Sequence, residues 1–136
     1  MWKIIVSLFL IDQGTKAIAK KKIENKGKKK LGPFDFLYVK NKGAVMGFLK
    51  KYPNLLKTLH IFTLLLVLYM WHKEVKMILL KSMSYAFVLG GGLGNLYDRF
   101  KRGYVIDFFS LPIKKLPYFN MADIFILWGI LGLLIF

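Results

Sequence analysis

Apolar stretches long enough to cross a bilayer alternate along this chain with blocks dense in lysine, and this alternation limits the possible folds more than any other feature. A hydrocarbon core takes about 20 apolar residues of helix, and fewer where flanking lysines snorkel. Candidate spans cover about 1–19, 55–71, 77–97 and 118–136. Trp2, Trp71, Tyr97 and Tyr118 fall near their ends, where aromatic side chains line membrane–water interfaces. The 136 residues are 56% hydrophobic yet carry 22 Lys and Arg against 7 Asp and Glu, a net charge of +15. Such a composition is tolerable only when the two kinds of residue are segregated. The expected fold is an all-α polytopic membrane protein, with four transmembrane helices in one domain over residues 1–136. A small β-like extracytoplasmic segment is expected in the first large loop, where residues 34–48 mix aromatic, β-branched and glycine residues.

The charge points first to anionic lipid headgroups, since lysines beside spans interact with such surfaces. A solvated face is the plainer reading. Nucleic-acid binding ranks last, because no recognised motif accompanies the lysines. The absence of cysteine excludes disulfides, thiol nucleophiles and thiolate metal sites. Lys3, Ile4–Ile11 and Ala17-Ile18-Ala19 also have the outline of a cleavable signal peptide, against which stands the polar run Asp12-Gln13-Gly14-Thr15-Lys16.

An acidic group in or beside a span is costly and therefore a functional candidate. Asp12, Asp98, Asp107 and Asp123 all fall at or near span ends. Each taken alone reads as a helix cap or a partner for a nearby lysine. Asp107 and Asp123 together say more, because the segment between them contains Pro112 and Pro117 and can fold back. Two carboxylates held close do not both ionise easily, so one keeps a proton. One can then activate water while the other hydrogen-bonds a scissile carbonyl. This is peptide hydrolysis without metal or other cofactor.

Other chemistries are poorly supplied. His60 and His72 are the two histidines, and there is no HExxH. His60 reads as a packed or interfacial residue. Lys81 and Ser84 sit three apart and form a possible Ser–Lys dyad, although Lys81 reads more simply as a snorkelling anchor. Gly90-Gly91-Gly92-Leu93-Gly94 lacks the dinucleotide-binding spacing; Gly90 and Gly94 instead have the spacing of close helix packing.

Four separated motifs, in order, resemble the lipoprotein signal peptidase (signal peptidase II) family. They are Asp12-Gln13-x-x-Lys16; Asn41-Lys42-Gly43-Ala44-x-x-Gly47; Gly94-Asn95-Leu96-x-Asp98-Arg99 continuing through Gly103-Tyr104-Val105-Ile106-Asp107-Phe108; and Phe119-Asn120-x-Ala122-Asp123. The resemblance covers nearly the whole chain. It implies an intramembrane aspartic endopeptidase with Asp107 and Asp123 as the catalytic pair. It also implies substrate-binding or supporting roles for Asp12, Lys16, Asn41, Gly43, Asn95, Asp98, Arg99, Asn120 and Ala122. The implied substrates are prolipoproteins, cut just before a diacylglyceryl-modified cysteine, and the implied inhibitor is globomycin. The implied location is the bacterial cell membrane, with cytoplasmic termini and the active site at the outer face.

Three features depart from that pattern. Eleven lysines lie between Lys20 and Lys51, in a loop the family places outside, against the positive-inside bias. Val45-Met46 replace a smaller residue and an aromatic one. The chain stops at Phe136 inside an apolar run, which reads as a minimal version of the family. The alternative from another class is a non-enzymatic basic membrane protein that binds anionic lipid or a partner through Lys20–Lys30.

Overall fold

The computed structural model describes residues 1–44, 47–74, 78–113 and 116–136. The elements run in the order α1 (Trp2–Ile23), β1 (Lys29–Leu31), β2 (Phe34–Asn41), α2 (Pro53–Lys73), α3 (Leu79–Lys101), β3 (Val105–Ser110) and α4 (Met121–Ile135). Val45, Met46 and Met77, on which sequence expectations fell, lie outside the described residues.

Each helix occupies one of the expected apolar stretches, with shifted ends. α1 continues to Ile23 because Lys and Ala favour helix and cations suit a helix C-terminus. α3 continues to Lys101, so Asp98 and Arg99, expected to begin a loop, lie on the helix instead. It stops where Gly103 takes a φ of 76°, the left-handed conformation that ends many helices. α4 starts at Met121 rather than near 118, because Asn120 caps it. Among the described helices, α2 alone is long and apolar enough to cross a membrane by length and composition, and α4 is apolar but shorter. α1 and α3 fall short because they carry Asp12, Lys16, Asn95 and Asp98, polar groups that the fold buries between helices.

α3 is the axis of the bundle. Gly90, Gly91 and Gly92 are successive, about 100° apart around a helix, and each admits a different neighbour. A Cβ at Gly90 would lie 2.8 Å from Leu8 Cβ on α1. At Gly91 it would lie 2.5 Å from the Ala122 carbonyl on α4, and at Gly92 2.5 Å from Leu64 Cδ2 on α2. Three helices thus approach one level of α3 to backbone distance. Gly94, one turn beyond Gly90, admits the Asp12 carboxylate, as the small-residue spacing anticipated. Gly91→Ala is expected to destabilise the protein by about 1–3 kcal/mol, the usual cost of overpacking. Thermal unfolding in detergent checks this, and an unchanged midpoint would show that α4 can move away freely.

The sheet is antiparallel, in the order β1-β2-β3. Gly32, at a φ of 58°, and Pro33 form the two-residue turn between β1 and β2. β-structure was expected in the first loop alone. The correction is β3, which the loop after α3 contributes, and it follows from the apolar, aromatic run Val105–Phe109 finding β2 as a partner. Ile106 and Phe108 pack with Ala19 of α1 and so seat the sheet on the helices. The antiparallel register places Val39 opposite Asp107 and Asn41 opposite Val105. Asn41 and Asp107 are therefore diagonal neighbours on one face of the sheet.

Candidate active site

Asp107 and Asp123 come from different elements and are joined through Asn120. Phe119 pairs with Phe109 of β3, its N–H donating at 2.7 Å to the Phe109 carbonyl. This clip brings the start of α4 against the strand that carries Asp107. Asn120 is the helix N-cap: its Oδ1 accepts from the Asp123 N–H at 3.1 Å, and its own N–H donates to Asp123 Oδ2 at 3.0 Å, a reciprocal capping box. The remaining Asn120 amide donates from Nδ2 to Asp107 Oδ1 at 2.7 Å. One fully buried asparagine thereby fixes both carboxylates.

Two further asparagines complete the arrangement. Asn41 Nδ2 donates to Asp107 Oδ2 at 3.0 Å, and Asn95 Nδ2 donates to Asp123 Oδ1 at 2.8 Å. Each carboxylate oxygen thus has one donor, and every donor is a neutral amide. Neutral donors orient the carboxylates without placing a cation on either one. Asp107 lies on β3, and burial, followed by the neighbouring charge of Asp123, pushes its carboxyl up to about 7. Asn41 and Asn120 act in the opposite direction but do not overcome these effects.

Beneath this pair lies a second polar layer. Lys16 is fully buried and reaches Asp12 Oδ2 at 2.7 Å, Asp98 Oδ2 at 3.1 Å and Asn95 Oδ1 at 3.0 Å. Asp12 Oδ1 accepts from the Ala122 N–H at 3.0 Å, so a carboxylate on α1 caps α4. Asp98 Oδ2 accepts from the Ile106 N–H at 3.3 Å, and Arg102 pairs with its other oxygen. The supporting aspartates therefore position the elements that carry the pair: Asp12 holds α4 and Asp98 holds β3. Ala122 is wholly buried and takes part through its backbone.

Arg99 does not contact the supporting carboxylates. Its Nη2 donates to the Gly43 carbonyl at 3.2 Å and its Nη1 lies 3.1 Å from His60 Nδ1. Gly43 N–H in turn donates to Asn41 Oδ1 at 3.0 Å, so Arg99 reaches Asp107 through a chain of contacts. The close approach allowed by Gly43 is to Gly47, whose carbonyl carbon would lie 2.7 Å from an added Cβ. That glycine tightens the loop around Asn41.

Three residues of this centre escaped the sequence reading. Gln13 bridges Asp12 and Asp98, donating at 3.1 and 3.2 Å, and Arg102 donates to its Oε1 at 3.2 Å. His60, read as a packing residue, holds Arg99. Its signal was its isolation in an apolar helix, where an ionisable side chain marks function by default. The Ser–Lys alternative fails on geometry: Lys81 pairs with Glu74 at 3.0 Å, and Ser84 Oγ donates to the Leu80 carbonyl at 2.9 Å.

A helical bundle with this buried polar centre has solved counterparts described as bacterial membrane enzymes. Two of them align over 97% of this chain at 26% identity, with TM-scores of 0.88 and 0.86, the chain covering 83% and 88% of theirs. The family model for signal peptidase (SPase) II matches residues 4–136. A lipoprotein signal peptidase of Caldicellulosiruptor bescii is 38% identical over 131 residues, covering 96% of this chain and 85% of the relative. One from Wigglesworthia glossinidia brevipalpis is also 38% identical, covering 96% and 89%. The chain belongs to the signal peptidase II family.

Proposed function

We propose that this chain removes signal peptides from prolipoproteins as an aspartic endopeptidase, with Asp107 and Asp123 as its catalytic pair and the bond before a diacylglyceryl-modified cysteine as its target. The observation that carries the aspartic assignment is the double grip of Asn120 on both carboxylates. Water between the carboxylates loses a proton to the ionised member and attacks the scissile carbonyl. The protonated member hydrogen-bonds the carbonyl oxygen as charge develops there. Collapse of the tetrahedral intermediate returns a proton to the departing amine.

The setting for this chemistry is a bilayer, which all four helices span. Supporting this are the large apolar residues exposed along them, among them Leu10 and Ile18 on α1, Phe62 and Leu65 on α2, and Leu127 and Leu134 on α4. A monomer in water rarely exposes so much apolar surface. The whole of 1–136 acts as one membrane-embedded peptidase domain. The sheet stands at the outer face and both termini are cytoplasmic, so the enzyme meets the lipid-modified segment of its substrate at headgroup depth. Globomycin is expected to inhibit.

The direct test is incubation of purified protein with a diacylglyceryl-modified prolipoprotein, scored by release of the signal peptide. Lack of cleavage by folded protein would remove the peptidase reading. The pH profile adds a second check. The active dyad holds one proton, and burial beside Asp123 raises the pH at which Asp107 gives up its own to about 7. Above that pH the acid is lost, so kcat/KM is expected to fall with an apparent pKa of about 7. A profile flat over roughly pH 5 to 9 contradicts this assignment.

A further inference from the structure

A cavity of about 570 Å³ opens between the end of β2, the segment before α2, the first turns of α2 and the end of α3. Lys40, Lys42, Lys50, Lys57 and Arg102 line it, with Tyr104, and no carboxylate does so among the described residues. Lys40 pairs with Glu24 at 3.1 Å and Arg102 pairs with Asp98. Lys42, Lys50 and Lys57 have no such ion pair among the described residues. Cations gathered around one concavity repel one another and focus a positive field within it. A seated anion would relieve that repulsion.

The surroundings indicate which anion. Lys57 packs over the Phe100 ring at 5.3 Å. Phe100 is exposed, and so is Ile61, one turn along α2 from Lys57 and on the same face of the helix. A cationic cup therefore stands over an apolar wall. A peptide carboxylate would use the cup and leave the wall bare, whereas a phospholipid uses both, with its phosphate in the cup and its acyl chains along the helix. The substrate's diacylglyceryl group has no phosphate, so this ligand is a separate molecule.

We infer that this cavity binds the headgroup phosphate of an anionic phospholipid. Asn41, which donates to Asp107, lies between Lys40 and Lys42, so the lipid adjoins the segment that orients a catalytic carboxylate. The lysines that oppose the positive-inside bias thereby acquire a role at the outer surface. The inference rests on the membrane reading above and on nothing in the cleavage chemistry.

The test titrates short-chain phosphatidylglycerol, below its micelle concentration, into the full chain in neutral detergent, with binding read by calorimetry. Lys42→Gln/Lys50→Gln/Lys57→Gln is expected to weaken binding at least about tenfold. Lys28→Gln/Lys29→Gln/Lys30→Gln, an equal charge change elsewhere, is expected to alter it by less than about twofold. Equal losses in both variants would mean diffuse attraction and overturn the site, as would no loss in the first. Inorganic phosphate at matching concentration is expected not to compete; if it displaces the lipid, the site reads free phosphate and the lipid assignment falls. If the first variant melts early, Lys57→Gln alone carries the test, with a weakening of about threefold expected and no change overturning it. Prolipoprotein cleavage scored on the same preparation separates failure of the peptidase reading from failure of this one.

Discussion

Asp107→Asn and Asp123→Asn are each expected to lower prolipoprotein cleavage by at least about a thousandfold, since general acid and general base steps are each worth about 10²–10⁴. Asparagine keeps the shape of the side chain and one acceptor, but it cannot hold or release the shared proton. Both variants are expected to stay folded: Asp107→Asn removes a buried carboxylate whose desolvation is a cost to the native state, and Asp123→Asn keeps an acceptor for the Asn120 N–H. Some local strain follows: a new amide group must face Asn41 or Asn120 at position 107, where donors now point. Release of signal peptide, measured beside the melting temperature, separates the two effects. Activity within about tenfold of wild type, about 1.4 kcal/mol of barrier, would falsify the dyad.

Lys16→Met is expected to produce the largest loss of stability, about 3–5 kcal/mol, the usual cost of breaking a buried ion pair. Lys16 touches two carboxylates and one carboxamide, and its removal leaves Asp12 buried with Gln13 and the Ala122 N–H as its remaining donors. Asp98 keeps Arg102. Asp12→Asn/Lys16→Met is expected to recover part of the loss, because no charge is then stranded beside α4. Thermal unfolding in one detergent gives all three values. A loss below about 1 kcal/mol, the level of an exposed pair, would mean that water reaches the cluster.

Four helices were legible in the sequence because long apolar runs have few alternatives. Their ends were less so. Asp98 and Arg99 looked like loop residues by polarity, yet the helix carries them because their charges find partners inside the bundle. β3 was hidden for a related reason. Val105–Ser110 is short and lies between basic residues, and only pairing with β2 makes it a strand. The aspartate pair was visible as motifs and as costly charges. The three asparagines that hold it were visible only as resemblance, since an asparagine in a sequence does not reveal which of its donors faces a carboxylate. His60 and Gln13 illustrate the same limit: their roles depend on α3, which lies far along the chain from both.

The ion pairs of the polar layer also bear on how the chain is made. Lys16 pairs with Asp12 four residues before it, and Arg102 pairs with Asp98 at the same spacing. Each charge therefore has its counter-ion within one turn of its own helix. During synthesis α1 emerges long before α3, and its lysine does not wait for a distant partner to be neutralised. Each of these two pairs can form as soon as its own stretch of chain does, and the contact between Lys16 and Asp98 forms when α1 and α3 meet. The two local pairs thus need no particular order of assembly: each is set within its own stretch of chain, and docking of α1 on α3 joins them into one network.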